Sequence, residues 1–413
     1  MPSLSIRLFD TLTGQRAEDA TEAENGLRHM VCLSMTKVAD GLIDPKLVLS
    51  WLFHALGVPP SLTALLVPIR EAGALLPQLL LAGLLRRMVH RKWVWALGAL
   101  GQGLSAAVIA ACVLTLDGVA AGGTICCALA VLAICRAASS VSYKDVLGKT
   151  VAKARRGAVT GVAGSASALA VLVYAGLMLS GQVQGVVPLA LAVALAALLW
   201  SGAGLLFAGL KEDASARHDA GPHIDLSPLR QDAQFRRYIA VRGALTATAL
   251  APPFLVMLSP AGGALQSLGA LVLASAAASF VSSYFWGRLA DRSARLVLAG
   301  AGFSGAVALA LGALAGITGQ VWALPGVLFI LMLAYHGVRQ GRSVYLVDMS
   351  PADKRADYAA LANTVIGTVL LLVGALGGGL SLLGPVETLL SYAGLCLLGG
   401  VLALGLSEVE RDG

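Results

Sequence analysis

Charge is what this sequence has least of. Asp, Glu, Lys and Arg make up 13% of its 413 residues, against 57% hydrophobic ones. A soluble domain carries about 25% charged residues, so a water-exposed globule is excluded and lipid is the expected solvent. Cysteine is sparse too. Cys32, Cys112, Cys126, Cys127, Cys135 and Cys396 all fall inside apolar runs, with no CxxC pair or Cys/His cluster. No zinc site or disulfide framework is implied, and they read as small buried hydrophobes. No GxxxxGK[ST], HExxH, GxSxG or DxD stretch occurs, so P-loop ATP chemistry and the common hydrolase and transferase chemistries have no anchor. No metal and no cofactor is expected. The short alternating segments of a membrane β-barrel are also missing. Residues 1–28 are polar and lack the apolar core of a signal peptide; they read as a tail.

Long apolar runs fill most of the remainder. A run of 20 residues or more crosses a hydrocarbon core of about 30 Å. Twelve such helices are expected, at about 29–56, 60–85, 93–116, 119–143, 158–180, 186–210, 238–258, 263–286, 296–317, 322–346, 358–383 and 386–406. The 48 Gly and abundant Ala suit helices that pack closely through small residues. Lys37, Lys46, Arg70, Arg136, Arg242, Arg339 and Arg342 lie inside these runs, and every other one of the 30 Lys and Arg falls in the tails or the even-numbered loops. The opposite loops, such as GVPPS, GQVQG and GPVE, carry none. This asymmetry places both termini in the cytoplasm, which an even helix count permits. It also accounts for the net charge of +7, so the partner is the bilayer and no nucleic acid is expected. If the polar first segment lay on the surface instead, eleven spans would put the N-terminal tail outside. Short loops and an Ala/Gly/Leu-rich composition point to a bacterial inner membrane.

Between two uncharged stretches sits a charge-dense turn, GRLADRSARL, residues 287–296. It resembles the cytoplasmic signature of the major facilitator superfamily, roughly Gly-x-Leu-Ala-Asp-Arg-x-Gly-Arg-Arg/Lys. Gly287, Leu289, Ala290, Asp291, Arg292 and Arg295 match; Ala294 and Leu296 depart from it. An echo stands 204 residues earlier: Gly83, Leu85, Arg91 and Lys92, with Arg87 where Asp291 stands. A second echo relates Arg136, Ser140 and Asp145 to Arg339, Ser343 and Asp348, 203 residues on. Two echoes at nearly one offset argue for duplication. The resemblance implies an all-α integral membrane protein of twelve transmembrane helices in two six-helix pseudo-symmetric halves. The halves are 29–210 and 238–406, joined by a cytoplasmic linker 211–237 and ending in a tail 407–413. It implies a monomer working by alternating access, with Asp291 helping to lock one state. The third helix of each triplet would face lipid and the others a central cavity.

A charge at the bilayer centre costs at least about 2.5–3.5 kcal/mol, so interior charges are informative. Lys37, Asp40 and Asp44 share a helical face by their spacing. They suit proton coupling or a substrate contact, or else a structural ion pair of Lys37 with Asp40. Gly41 and Pro45 could interrupt the helix there. Arg70 and Glu71 point about 100° apart, and Glu71 reads as a proton carrier or a counter-ion. Arg136 and Arg339, mates across the repeat, suit an anionic group, or snorkel to the edge. Arg242 and Arg342, near helix ends, read as snorkelling. His336, one turn before Arg339, reads as a site residue or a satisfied core histidine. The basic excess favours an anionic or zwitterionic solute.

The leading reading is a secondary active transporter, not an enzyme, moving a small solute with protons as coupling ions. The alternative is a membrane-embedded lipid-handling protein (a flippase or lipid-modifying enzyme) or a transport-fold sensor.

Overall fold

The computed structural model describes residues 4–181, 185–214, 226–259, 265–290, 292–351 and 354–409. Among these residues every regular element is helical. The first six are α1 (Leu4–Thr13), α2 (Ala20–Leu42), α3 (Val48–Ala55), α4 (Pro60–Thr63), α5 (Leu66–Leu75) and α6 (Gln78–Arg86). Four long helices follow: α7 (Lys92–Thr115), α8 (Gly118–Thr150), α9 (Lys153–Leu179) and α10 (Val186–Ala208). Next come α11 (Ser227–Gln231), α12 (Ala233–Ala244), α13 (Ala247–Leu250) and α14 (Pro252–Met257). The chain closes with α15 (Leu265–Ala290), α16 (Ala294–Thr318), α17 (Leu324–Met349), α18 (Arg355–Leu380) and α19 (Pro385–Leu404).

Ten stretches among the described residues are long and apolar enough to cross a membrane: α7 to α10, Ala233–Met257 and α15 to α19. The chain is a multi-pass membrane protein. The first two expected spans are not among the ten. Segment 29–56 divides into α2 and α3 around Pro45, and segment 60–85 into α4, α5 and α6, with Pro68 and Pro77 along it. A proline interrupts the i→i−4 ladder, and four charges in the first segment lower its hydropathy. The break at Ile43–Leu47 is a built feature. The Asp44 carboxylate accepts the N–H groups of Lys46 at 2.8 Å and Leu47 at 3.0 Å, and the Ser50 hydroxyl donates to Pro45 O at 2.8 Å.

Several boundaries differ from expectation. Helix α2 begins at Ala20 because Asp19 caps it, accepting the Glu22 N–H at 2.6 Å. The polar tail holds a helix of its own, α1, whose Phe9 is fully buried against α2 at Gly26. Helix α8 runs on to Thr150, so much of the basic stretch after 143 is helical. Part of the 211–237 linker lies outside the described residues; its end forms α11 and starts α12.

The most extensive pairings are α7 with α10 and α16 with α19, which occupy the same places in the two expected halves. Both are close approaches through small residues. A Cβ on Gly103 would come 2.9 Å from Ala197 O, and one on Gly302 would come 2.6 Å from Gly400 Cα. In lipid, such packing stands in for the hydrophobic drive that helices have in water. Contacts between the N-terminal and C-terminal groups of helices run along α5, α6 and α18, where Gly367 abuts Leu76 and Asn363 Nδ2 donates to Gln78 Oε1 at 3.3 Å, and continue to the ends away from the Lys/Arg-rich loops. Gly269 of α15 abuts Ala175 and Leu179 of α9, and Gly374 and Gly378 of α18 abut Pro68 and Ser61. At the basic end of α15, Phe280 and Tyr284 are exposed.

Candidate functional site

The broken first segment, α5, α8, α9, α15 and α17 together surround a cavity of about 410 Å³. None of its lining comes from α7, α10, α16 or α19, the third helices of the expected triplets. Seven of the sequence candidates line it: Asp40, Asp44, Arg70, Glu71, Arg136, His336 and Arg339.

Asp40 is the centre of the charge arrangement. Its Oδ1 accepts from Arg70 Nη2 at 2.8 Å and also from Arg136 Nη1. One carboxylate oxygen thus ties α2 to α5 and α8. The expected pairing of Lys37 with Asp40 is not formed; Arg70 and Arg136 take that acid because both reach it from facing helices. Arg136 therefore does not snorkel. Asp44 serves the helix break, its Oδ1 occupied by two backbone N–H groups, while still lining the cavity. Lys46 Nζ stands 3.6 Å from Glu71 Oε1 and 3.5 Å from the Tyr335 ring centroid, so the break is tied to α5 by charge and to α17 by a cation–π contact.

Arg339 and Arg342 also line this cavity. Neither forms an ion pair within 4 Å among the described residues, although both lie in the field of Glu71; Arg339 lies 5.9 Å from the Tyr335 ring centroid. The cavity holds Lys46, Arg70, Arg136, Arg339 and Arg342 against Asp40, Asp44 and Glu71. Every acid is engaged and two guanidiniums are left over. Sequence reasoning undervalued Arg342, whose i+3 spacing from Arg339 places both on one face, and it missed Tyr335, Ser275 and Ser279. Tyr335 carried no signal beyond being next to His336. Arg242 is 4% exposed, and its Nη2 donates to Asn363 Oδ1 at 3.0 Å, so it is held inside and does not snorkel. Lys37 lies apart, in a neighbouring cavity of about 200 Å³ that also reaches Asp40 and Arg136.

The signature residues sit at the basic ends. Helix α15 ends at Ala290 and α16 starts at Ala294, with the Ser293 hydroxyl accepting the Leu296 N–H at 3.2 Å. Gly287 has open space around it, Arg292 is exposed, and Asp291 lies outside the described residues. Arg295 pairs with Glu408 at 2.8 Å, just past α19. Arg91, its counterpart, donates its backbone N–H to Glu212, just past α10, at 3.1 Å, and its side chain pairs with Asp145. Gly83 is buried in α6. Each loop therefore meets an acid just past the last helix of its expected half, Glu212 after α10 and Glu408 after α19.

A further clamp was not visible in sequence. Glu22, 8% exposed, accepts from Arg155 Nε at 2.9 Å and Nη2 at 2.8 Å, and from the N–H groups of Ala152 at 2.9 Å and Glu18 at 2.8 Å. Burial pushes its pKa up, but the Ala152 and Glu18 N–H groups and the Arg155 guanidinium outweigh that and hold it below the ordinary 4.5.

No protein-family model and no curated protein sequence matches the chain. Solved structures do. A point mutant of the nucleoside transporter NupG superposes with a TM-score of 0.72 at 13% identity, covering 93% of this chain and 100% of that one. A POT-family transporter in complex with 5-aminolevulinic acid gives 0.69 at 10% identity, over 92% and 96%. A D-xylose–proton symporter gives 0.66 at 12% identity, over 94% and 98%. These neighbours are transporters of the major facilitator type, and the chain has their fold, as the resemblance of residues 287–296 implies.

Proposed function

We propose that the protein is a secondary active transporter that moves a small anionic or zwitterionic solute by alternating access, coupled to protons. The observation that carries this reading is the charge ledger of the 410 Å³ cavity: five basic groups against three acids, with Arg339 and Arg342 near Glu71 but in no ion pair of their own among the described residues, so that a carboxylate or similar group would balance them. Asp40, shared by two arginines, is the group whose protonation would release them. Glu71 beside Lys46 is the second candidate carrier. His336 contributes to the same wall. The neighbours fit this reading: one is a D-xylose–proton symporter, and another was solved with 5-aminolevulinic acid, which carries an amine and a carboxylate.

On this reading the two broken segments complete a set of twelve spans. Residues 29–210 and 238–406 form the rocking halves, and 211–237 links them. The basic ends face the cytoplasm of a bacterium, with both termini there, and the chain works as a monomer. The contacts of Gly269, Gly374 and Gly378 then seal the outer side, and the cavity opens inward. The paired signature loops at Arg91 and Arg295 would close the inner side in the other state.

Proton flux into liposomes holding the purified protein tests this. A panel of organic anions, amino acids, sugars and cationic drugs is presented, with Asp40→Asn alongside. Solute-dependent proton movement that Asp40→Asn loses is the expected result. Solute movement without protons would make it a facilitator. Transport of cationic dyes alone would sink the assignment of substrate charge, and movement of lipids alone would favour the lipid-handling reading.

A further inference from the structure

The 200 Å³ cavity beside the solute site has a character of its own. It lies among α2, α7 and α8, with Trp95 as its aromatic wall. Lys37, Arg136 and Lys144 line it, and the one acid there, Asp40, is already held by Arg70 and Arg136. Lys37 and Lys144 have no salt-bridge partner among the described residues. Two buried polar atoms of its lining lack any hydrogen-bond partner, the Tyr143 hydroxyl and the Gln102 Oε1. Gln102 is 2% exposed, and its Nε2 is already committed to Gly98 O at 3.2 Å and Ser139 Oγ at 3.4 Å. A buried polar group without a partner costs about 1–3 kcal/mol, and a polar ligand that reached these two atoms would recover that cost.

We propose that this cavity is a binding site for a small monovalent anion, a halide or a short carboxylate, separate from the solute site. The ammonium groups of Lys37 and Lys144 supply the charge and the Tyr143 hydroxyl donates to the anion. An accompanying water, or a hydroxyl of the ligand, donates to Gln102. At about 30 Å³ per water, the volume admits such an ion with part of its hydration and excludes a solute large enough to fill the neighbouring cavity. Arg136 faces both cavities. An anion bound here competes with Asp40 for that guanidinium, so occupancy loosens the carboxylate that ties α2, α5 and α8. The bound anion thus regulates the solute site through one shared arginine, whichever solute that site carries.

The test needs no transport. Thermal unfolding of the purified full-length protein is followed in chloride and in acetate, against gluconate at matched ionic strength. Saturable stabilisation by chloride or acetate is expected, with the midpoint concentration raised roughly tenfold or more in Lys37→Met and in Tyr143→Phe, each of which removes one group that contacts the anion. Arg339→Gln should leave the part of it that depends on Lys37 and Tyr143 unchanged. Tyr143→Phe keeps the charge and shape, so it carries the test if Lys37→Met does not fold. Stabilisation no greater than in gluconate would overturn the proposal. So would loss of the effect in Arg339→Gln with retention in Tyr143→Phe, which would place the anion in the solute cavity.

Discussion

Replacing Asp40 by Asn removes one charge and keeps the side chain's shape. In the wild type, Asp40 Oδ1 serves Arg70 and Arg136 together; the three side chains are 22%, 11% and 38% exposed. Removing one partner of a buried ion pair costs about 3–5 kcal/mol. Asp40 is a fifth open and Arg136 more than a third, and solvent screening of that kind places the loss at the lower end, about 3 kcal/mol. Two like charges are then left facing each other. Urea unfolding of the purified protein in detergent gives the number from the shift of midpoint at constant slope. Arg136→Met in the same background removes one of the stranded guanidiniums, so the double variant should be more stable than the sum of the single losses by about 0.5–3 kcal/mol. If Asp40→Asn unfolds within about 0.5 kcal/mol of the wild type and the double variant is additive, the carboxylate holds neither arginine, and the reasoning fails.

Arg342→Gln removes a guanidinium that forms no ion pair of its own and only adds to the field at Glu71, so stability should change little while the solute KM rises roughly 10- to 100-fold, the worth of a charge-assisted hydrogen bond; an unchanged KM with a lowered unfolding midpoint would assign Arg342 a structural role. Gly374→Ala puts a Cβ 2.1 Å from Pro68 Cγ, and overpacking of about 1–3 kcal/mol should part α18 from α5. A cysteine placed at Ser61 should then react with an impermeant maleimide about tenfold faster than in the parent, and an equal rate would show that this contact does not hold the end shut. Glu22 is held below 4.5 in the folded protein, so its clamp on Arg155 contributes fully above that pH and is lost as pH falls through the folded value. The stability difference between wild type and Glu22→Gln should shrink across that acid window and be flat above it; a difference that grew on acidification would reverse the sign of the argument.

How far the sequence could be read depended on whether a residue's environment was local. Spans α7 to α10 and α15 to α19 follow from runs that lipid alone demands, and Lys and Arg mark one set of ends. The break after Gly41 was legible because Pro45 forces it, although the capping by Asp44 was not, since that acid looked equally suited to chemistry. Asp40, Arg70, Glu71, Arg136, His336 and Arg339, all of which line the cavity, stood out because an ionisable side chain in an apolar run is conspicuous wherever it points. Their pairing was hidden: whether Asp40 meets Lys37 on its own helix or two arginines on others depends on how three helices face, which spacing along one of them does not carry. Tyr335 was invisible for the same reason, being one aromatic among many until Lys46 came to lie over it. Glu22 and Arg155 are more than 130 residues apart, and nothing local links them.

The packing of α1 has a practical consequence. Phe9 sits where the absence of a side chain at Gly26 lets it lie flat on α2, and α1 also touches α9. Helix α1 is therefore bolted to the scaffold rather than standing off from it. A rigid helical fusion grown from α1 would move as one body with the N-terminal helices. The described residues are mostly apolar helices long enough to cross a membrane, so such a fusion would add an external landmark for imaging. The spread of that landmark's tilt between particles would report directly whether one group of helices moves against the other.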